Sequence, residues 1–267
     1  MKKLANFFFT LALLGYSTFI YAANPGEGRW VADEVFRASN AGGSTGLVNM
    51  NSAYTIRDGE MSFNIGVASE SVGGVDYIQA PVSITYGISN NTELGLATRY
   101  IDDNAGTAGV AGGELKLKWR FRNQTEYWPA ASIALALMFP SGPAALNEVS
   151  SWGARLNALM SSESVISETL YIGIYLDVGA TSIDGGADNY LSADFGLLAP
   201  ISDNKRLQAM LEFNTVSGRA NPYLGTGDYS AITPGLRYAS EAFKLTLGAQ
   251  SRSTGTTKFS ATLGLEF

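Results

Sequence analysis

The chain of 267 residues contains no cysteine and no histidine. The first absence excludes disulfides, thiolate metal sites and thiol nucleophiles. The second removes the side chain that most often moves protons near neutral pH. Charge is also scarce. Asp, Glu, Lys and Arg make up 16 % of the chain, against roughly 25 % in a typical soluble domain. Beyond the N-terminal stretch there is no continuous apolar run of the ~20 residues that a membrane helix needs. The formal charge of −6 offers no basic footprint for nucleic acid. A soluble globular surface and a bundle of membrane helices are both poor fits.

The N-terminus carries Lys2 and Lys3, then a mostly apolar run over residues 4–20. Small residues Ala22 and Ala23 follow, ahead of Asn24, Pro25 and Gly26. This is the pattern of a secretory signal peptide, residues 1–22, cleaved after about Ala22. Removing it leaves the mature chain near −8.

From residue 60 onward the chain alternates with a period of two. Met61, Phe63, Ile65 and Val67 fall on one face and Ser62, Asn64, Gly66 and Ala68 on the other. Leu115, Leu117, Trp119 and Phe121 alternate with Glu114, Lys116, Lys118 and Arg120. Such a period puts the two sets on opposite sides of a strand. One strand of this kind fits a soluble sandwich as well. Its recurrence over segments of about ten residues, with short and long connections in turn, fits a transmembrane antiparallel β-barrel. Twelve strands are expected over 60–267, or fourteen if the preceding segment adds a hairpin. Both barrel ends then lie in the periplasm. Residues 23–59 break the pattern and are expected to form a non-barrel periplasmic or plug segment. Tyr77, Tyr86, Tyr100, Trp119, Phe121, Phe139, Trp152, Tyr190, Tyr238 and Phe243 sit near strand ends, as in interfacial girdles.

In such a barrel the polar parity faces the lumen. The candidate pore-lining residues are Arg99, Glu114, Lys116, Lys118, Arg120, Arg155, Asp177, Asp194, Glu212 and Arg237. Adding Glu93, Arg206, Lys244, Arg252 and Glu266 gives nine bases and six acids, an excess of about +3 in an acidic chain. That excess implies a mild preference for anions. No motif marks a catalytic, cofactor-binding or metal-binding residue. The oxygen-rich stretch 181–189 reads as a solvated surface loop, with a weak calcium site as the alternative. The absence of His argues against an enzyme acting by general acid–base chemistry.

The C-terminus ends on Phe267, with apolar residues at 259, 261, 263 and 265. This resembles the signal by which the barrel-assembly machinery recognises its clients. The stretches PVSITYGISNNTELGLATRYI at 81–101, GGELKLKWRF at 112–121 and ASIALALMFPSG at 131–142 resemble the outer-membrane transporter family of the meta-pathway of phenol degradation. Residues 42–66 are similar to the opening segment of large barrel families that include exopolysaccharide-associated ones, which usually carry Pro where this chain has Asn51. The resemblance implies an outer-membrane channel or transporter for small solutes, of the hydrocarbon or aromatic class. The alternative is a non-conducting structural or assembly barrel of an envelope polysaccharide system. The expected partners are outer-membrane lipid, the assembly machinery and small solutes, with no cofactor.

Overall fold

A computed structural model describes residues 39–72, 75–104, 106–125, 127–146, 151–165, 171–183, 188–202, 204–218, 220–221, 225–226 and 228–267. The expected signal peptide, with its cleavage after Ala22, lies outside the described residues, as do residues 184–187 of the oxygen-rich stretch.

Twelve strands form one closed antiparallel barrel. They are β1 (Met61–Val72), β2 (Val75–Ser89), β3 (Thr92–Asp102), β4 (Ala108–Arg122), β5 (Ala130–Phe139) and β6 (Gly153–Val165). The second half is β7 (Tyr171–Ile183), β8 (Asp188–Pro200), β9 (Leu207–Ser217), β10 (Tyr229–Ala239), β11 (Phe243–Arg252) and β12 (Thr257–Glu266). Each strand pairs with its sequence neighbours, and β1 pairs with β12 to close the seam. Closure leaves no unpaired edge, which a lipid environment requires. The seam ends on Phe267, whose N–H donates to Met61 O at 2.9 Å while Met61 N–H donates back at 3.0 Å. Among the described residues, 39–60 add no strand to the wall, and the closed barrel counts twelve strands, not fourteen.

The alternation sorts as the sequence implies. Leu115, Leu117, Trp119 and Phe121 are exposed on the outer face, while Lys116, Lys118 and Arg120 are buried inside. Ile133, Leu135 and Leu137 repeat the outer pattern on β5. Trp119–Phe121, Phe139–Trp152 and Tyr238–Phe243 form ring pairs at 5.8–5.9 Å between centroids. Two aromatics depart from the expected girdle. Tyr190 points into the lumen and is buried. Tyr77 packs on Ile101, Ala111 and Leu146. Both share the parity of lumen residues, so their position near strand ends was misleading.

Several strands run further than the alternation marked. β4 begins at Ala108, six residues before the alternation that starts at Glu114, and β7 continues to Ile183, into the oxygen-rich stretch read as a surface loop. Gly112 and Gly113 lie inside β4. The β3–β4 register shifts beside them, and Gly112 has φ +64°. The bulge interrupts the period-two signal. Asp102 and Asp188 are strand ends, the latter within the stretch 181–189 read as a surface loop.

Candidate functional site: the barrel lumen

Residues 39–57 thread the inside of the barrel. They form two tight folds, closed by bridges between Ser39 and Thr45 and between Gly46 and Asn51. Asn40 N–H donates to Ser44 O at 2.8 Å, and Leu47 N–H to Met50 O at 3.0 Å. Short turns like these leave other backbone donors and acceptors unpaired, and such groups need partners when buried. The barrel wall supplies them.

Glu93 on β3 takes one side. Its carboxylate accepts from Ser44 Oγ at 2.8 Å, Thr45 N–H at 3.0 Å, Thr45 Oγ1 at 2.7 Å and Ile56 N–H at 2.9 Å. Lys118 on β4 lies 2.8 Å from the same carboxylate and donates to Thr45 O at 3.2 Å and Ser52 O at 3.1 Å. The ion pair is therefore saturated with hydrogen bonds, which a buried pair needs to offset its desolvation. On the facing side, Glu212 of β9 accepts from Val48 N–H at 2.7 Å and from Asn49 N–H at 3.0 Å and Nδ2 at 3.1 Å. Arg237 of β10 donates to Gly46 O at 2.9 Å and Leu47 O at 3.2 Å. Asp177 of β7 accepts from Asn51 Nδ2 at 3.0 Å. Ser161 Oγ accepts from Ala53 N–H at 2.8 Å.

The segment has an apolar side as well. Leu47, Met50, Ala53 and Tyr54 pack on Ala130, Ala134, Leu159, Tyr175, Leu198 and Met210 of β5–β9. Close approach to β2 and β3 depends on two wall glycines. A Cβ at Gly87 would stand 1.7 Å from Arg57 O, and one at Gly95 1.9 Å from Gly43 O. Any side chain there meets backbone that cannot rotate away.

The candidate residues from the sequence divide between two levels. Lys118, Glu212 and Arg237 grip the inner segment. Arg120 donates instead to the β2–β3 turn, reaching Asn91 Oδ1 at 3.1 Å, and Lys116 stands 3.6 Å from Glu114. Arg99, Glu114, Arg155, Asp177 and Asp194 line a cavity of about 290 Å³ at the barrel end that the sequence leads one to expect outside, floored by Asn49 and Asn51. There Arg155 meets Glu114 at 3.3 Å and Tyr190 Oη at 3.0 Å. A second cavity of about 530 Å³ opens at the other mouth, beside the C-terminus, where Ser39, Arg57, Arg206, Lys244 and Glu266 meet. Lys244 and Glu266 pair across β11–β12.

Three inward charges were missed in the sequence. Glu70 pairs with Arg252 and Lys258 lines the external cavity. Glu163 accepts from Tyr175 Oη at 3.1 Å. With them the basic excess of the lumen falls below the +3 read from the sequence. All three lie near strand ends, where the alternation was weakest. Among the described residues no cluster of three or more acidic side chains is arranged to hold a metal ion.

A solved structure of the NanC porin is 8 % identical, with TM-score 0.54, covering 76 % of this chain and 98 % of its own. LpxR from Salmonella typhimurium is 9 % identical, with TM-score 0.51, covering 76 % and 99 %. The chain folds as an outer-membrane-type β-barrel. At such identities the likeness concerns the fold alone. No family model matches the chain, so the resemblance to the phenol meta-pathway transporters goes no further than an outer-membrane barrel. No curated protein matches it.

Proposed function

We propose that this barrel is a non-enzymatic outer-membrane channel for small polar solutes, closed by residues 39–57 acting as a plug. The observation that carries this reading is the polarity of the wall behind the plug. Glu93, Lys118, Asp177, Glu212 and Arg237 are all buried there, and each hydrogen-bonds the plug. A barrel filled for good is served as well by apolar packing, because each buried charge costs several kcal/mol of desolvation. Charged walls are suited to a lumen that also holds water. When the plug withdraws, water or solute replaces its N–H and C=O groups. The charged external cavity favours polar solutes over the hydrocarbon class that the sequence resemblance implies.

In this reading residues 1–22 direct export, 23–59 carry the plug and 60–267 conduct. Outer-membrane lipid contacts the outer face, and the assembly machinery reads the strand ending at Phe267. The second reading is a non-conducting envelope scaffold. The apolar contacts of Leu47, Met50 and Tyr54 favour it, since they resist withdrawal.

Planar-bilayer recording separates the two. The mature protein should show low, infrequent conductance, and the same protein lacking residues 39–57 a stable open pore. A deletion variant that keeps its heat-modifiable barrel yet passes no current would establish the scaffold.

A further inference from the structure

Residues 39–57 fill the lumen unevenly. Leu47, Met50, Ala53 and Tyr54 seal it against β5–β9 by apolar packing. On the side from β12 round to β4 a gap of about 210 Å³ remains. It lies between Gly42, Val48 and Asn49 of the segment and a wall that includes Ala68, Ser260 and Thr262. The gap adjoins the 290 Å³ cavity, with which it shares Asn49 and Gln79. Toward the other mouth it stops one lumen-facing residue short of the 530 Å³ cavity. On β12, Ser260 and Thr262 line the gap, Glu266 lines the cavity at the mouth, and Gly264 stands between them. Gly264 has no side chain to fill the partition. Its register partner on β1, Asn64, does so instead: a Cβ at Gly264 would stand 2.6 Å from Asn64 Oδ1. Asn64 is buried, yet loosely held. Its Nδ2 donates to Ser62 Oγ and to Ser83 Oγ, each at 3.4 Å. Both bonds are longer than the ~2.7–3.2 Å of well-formed N–H···O contacts. The amide can therefore turn aside without breaking any hydrogen bond that anchors the inner segment to Glu93, Lys118, Glu212 or Arg237.

We infer that Asn64 is the gate of a narrow path for water and small polar solutes, which runs past the seated plug along β12, β1 and β2. With the amide turned aside, only the backbone of Gly264 separates the gap from the cavity at the mouth. The hydroxyls of Ser83, Ser260 and Thr262 and the amide of Gln79 lie along this side. They offer both donors and acceptors, which replace the hydration of a passing solute. The apolar contacts with β5–β9 offer neither, so the path keeps to one side of the lumen. The inference rests on the channel reading, and it gives the low conductance expected of the plugged protein a route.

The test uses the full mature chain in planar bilayers with potassium chloride. Asn64→Ala should raise the mean current about twofold or more, because the gate side chain is shortened. Asn64→Cys should lose current on treatment with 2-aminoethyl methanethiosulfonate and regain it with dithiothreitol. The chain has no cysteine of its own, so the label acts only at the introduced site. Ala134→Cys, on the apolar side of the plug, should show no such response. Heat-modifiability on gels confirms that each variant is folded. Unchanged current in folded Asn64→Ala, or an equal response to the reagent at positions 64 and 134, overturns the inference. If the variant lacking residues 39–57 conducts while Asn64→Ala changes nothing, the path is rejected and the plugged channel stands. If that deletion carries no current, yet vesicles holding full-length Asn64→Ala shrink faster under osmotic shock than those holding the unaltered protein, the solute channel is rejected and a water path at Asn64 stands.

Discussion

Leu117 stands between Lys116 and Lys118 in the chain but faces the other way. Leu117→Arg should therefore cost ~2–4 kcal/mol, because the new charge meets hydrocarbon near mid-strand. Lys116→Arg, inside the lumen, should cost clearly less. Urea unfolding in lipid vesicles measures both, and equal costs would mean that the outer face is not lipid-exposed. Inside the wall, Glu93→Gln removes the charge of Lys118's ion-pair partner and leaves a buried ammonium. Breaking such a pair costs about 3–5 kcal/mol. Glu93→Gln/Lys118→Met should recover much of that loss, since no uncompensated charge remains. A double variant no more stable than Glu93→Gln would show that the pair's charge is not what holds the segment.

At the scale of elements, the plug depends on wall glycines as much as on charges. Gly95→Val places carbon where Gly43 O now sits. It should lift the segment from β3 and raise bilayer conductance while the barrel remains heat-modifiable. Unchanged conductance in a folded Gly95→Val protein would count against a plug that seals by close contact. The strands themselves were legible in the sequence, because lipid imposes apolar residues on every second position of each crossing. Several of their ends were not. Ala180–Ile183 and Ala108–Gly112 extend strands with small or polar residues, and the bulge at Gly112 breaks the period. The inner segment left the faintest trace. Its decisive contacts come from backbone N–H and C=O groups, which every sequence possesses. The glycines at 42, 43 and 46 and the amides Asn49 and Asn51 mark a compact polar turn, yet nothing in them specifies Glu93 or Glu212 as partner.

For the whole molecule, Phe267 closes the seam through both of its backbone groups. Deleting it should lower the heat-modifiable fraction in the outer membrane while export to the periplasm continues, and fractionation followed by gel shift measures both. A normal barrel yield would show that the assembly signal lies elsewhere. The reach of the inner segment has a consequence in time. Val48 precedes its partner Glu212 by 164 residues, and Arg237 follows Gly46 by 191. Contacts so distant along the chain form slowly, since the intervening loop must close before they contribute. Residues 46–48, made before every strand of the wall, are thus among the last to find their place, waiting for β9 and β10 while the wall assembles. Refolding of the intact protein should show a late, concentration-independent phase that a chain lacking residues 39–57 does not have.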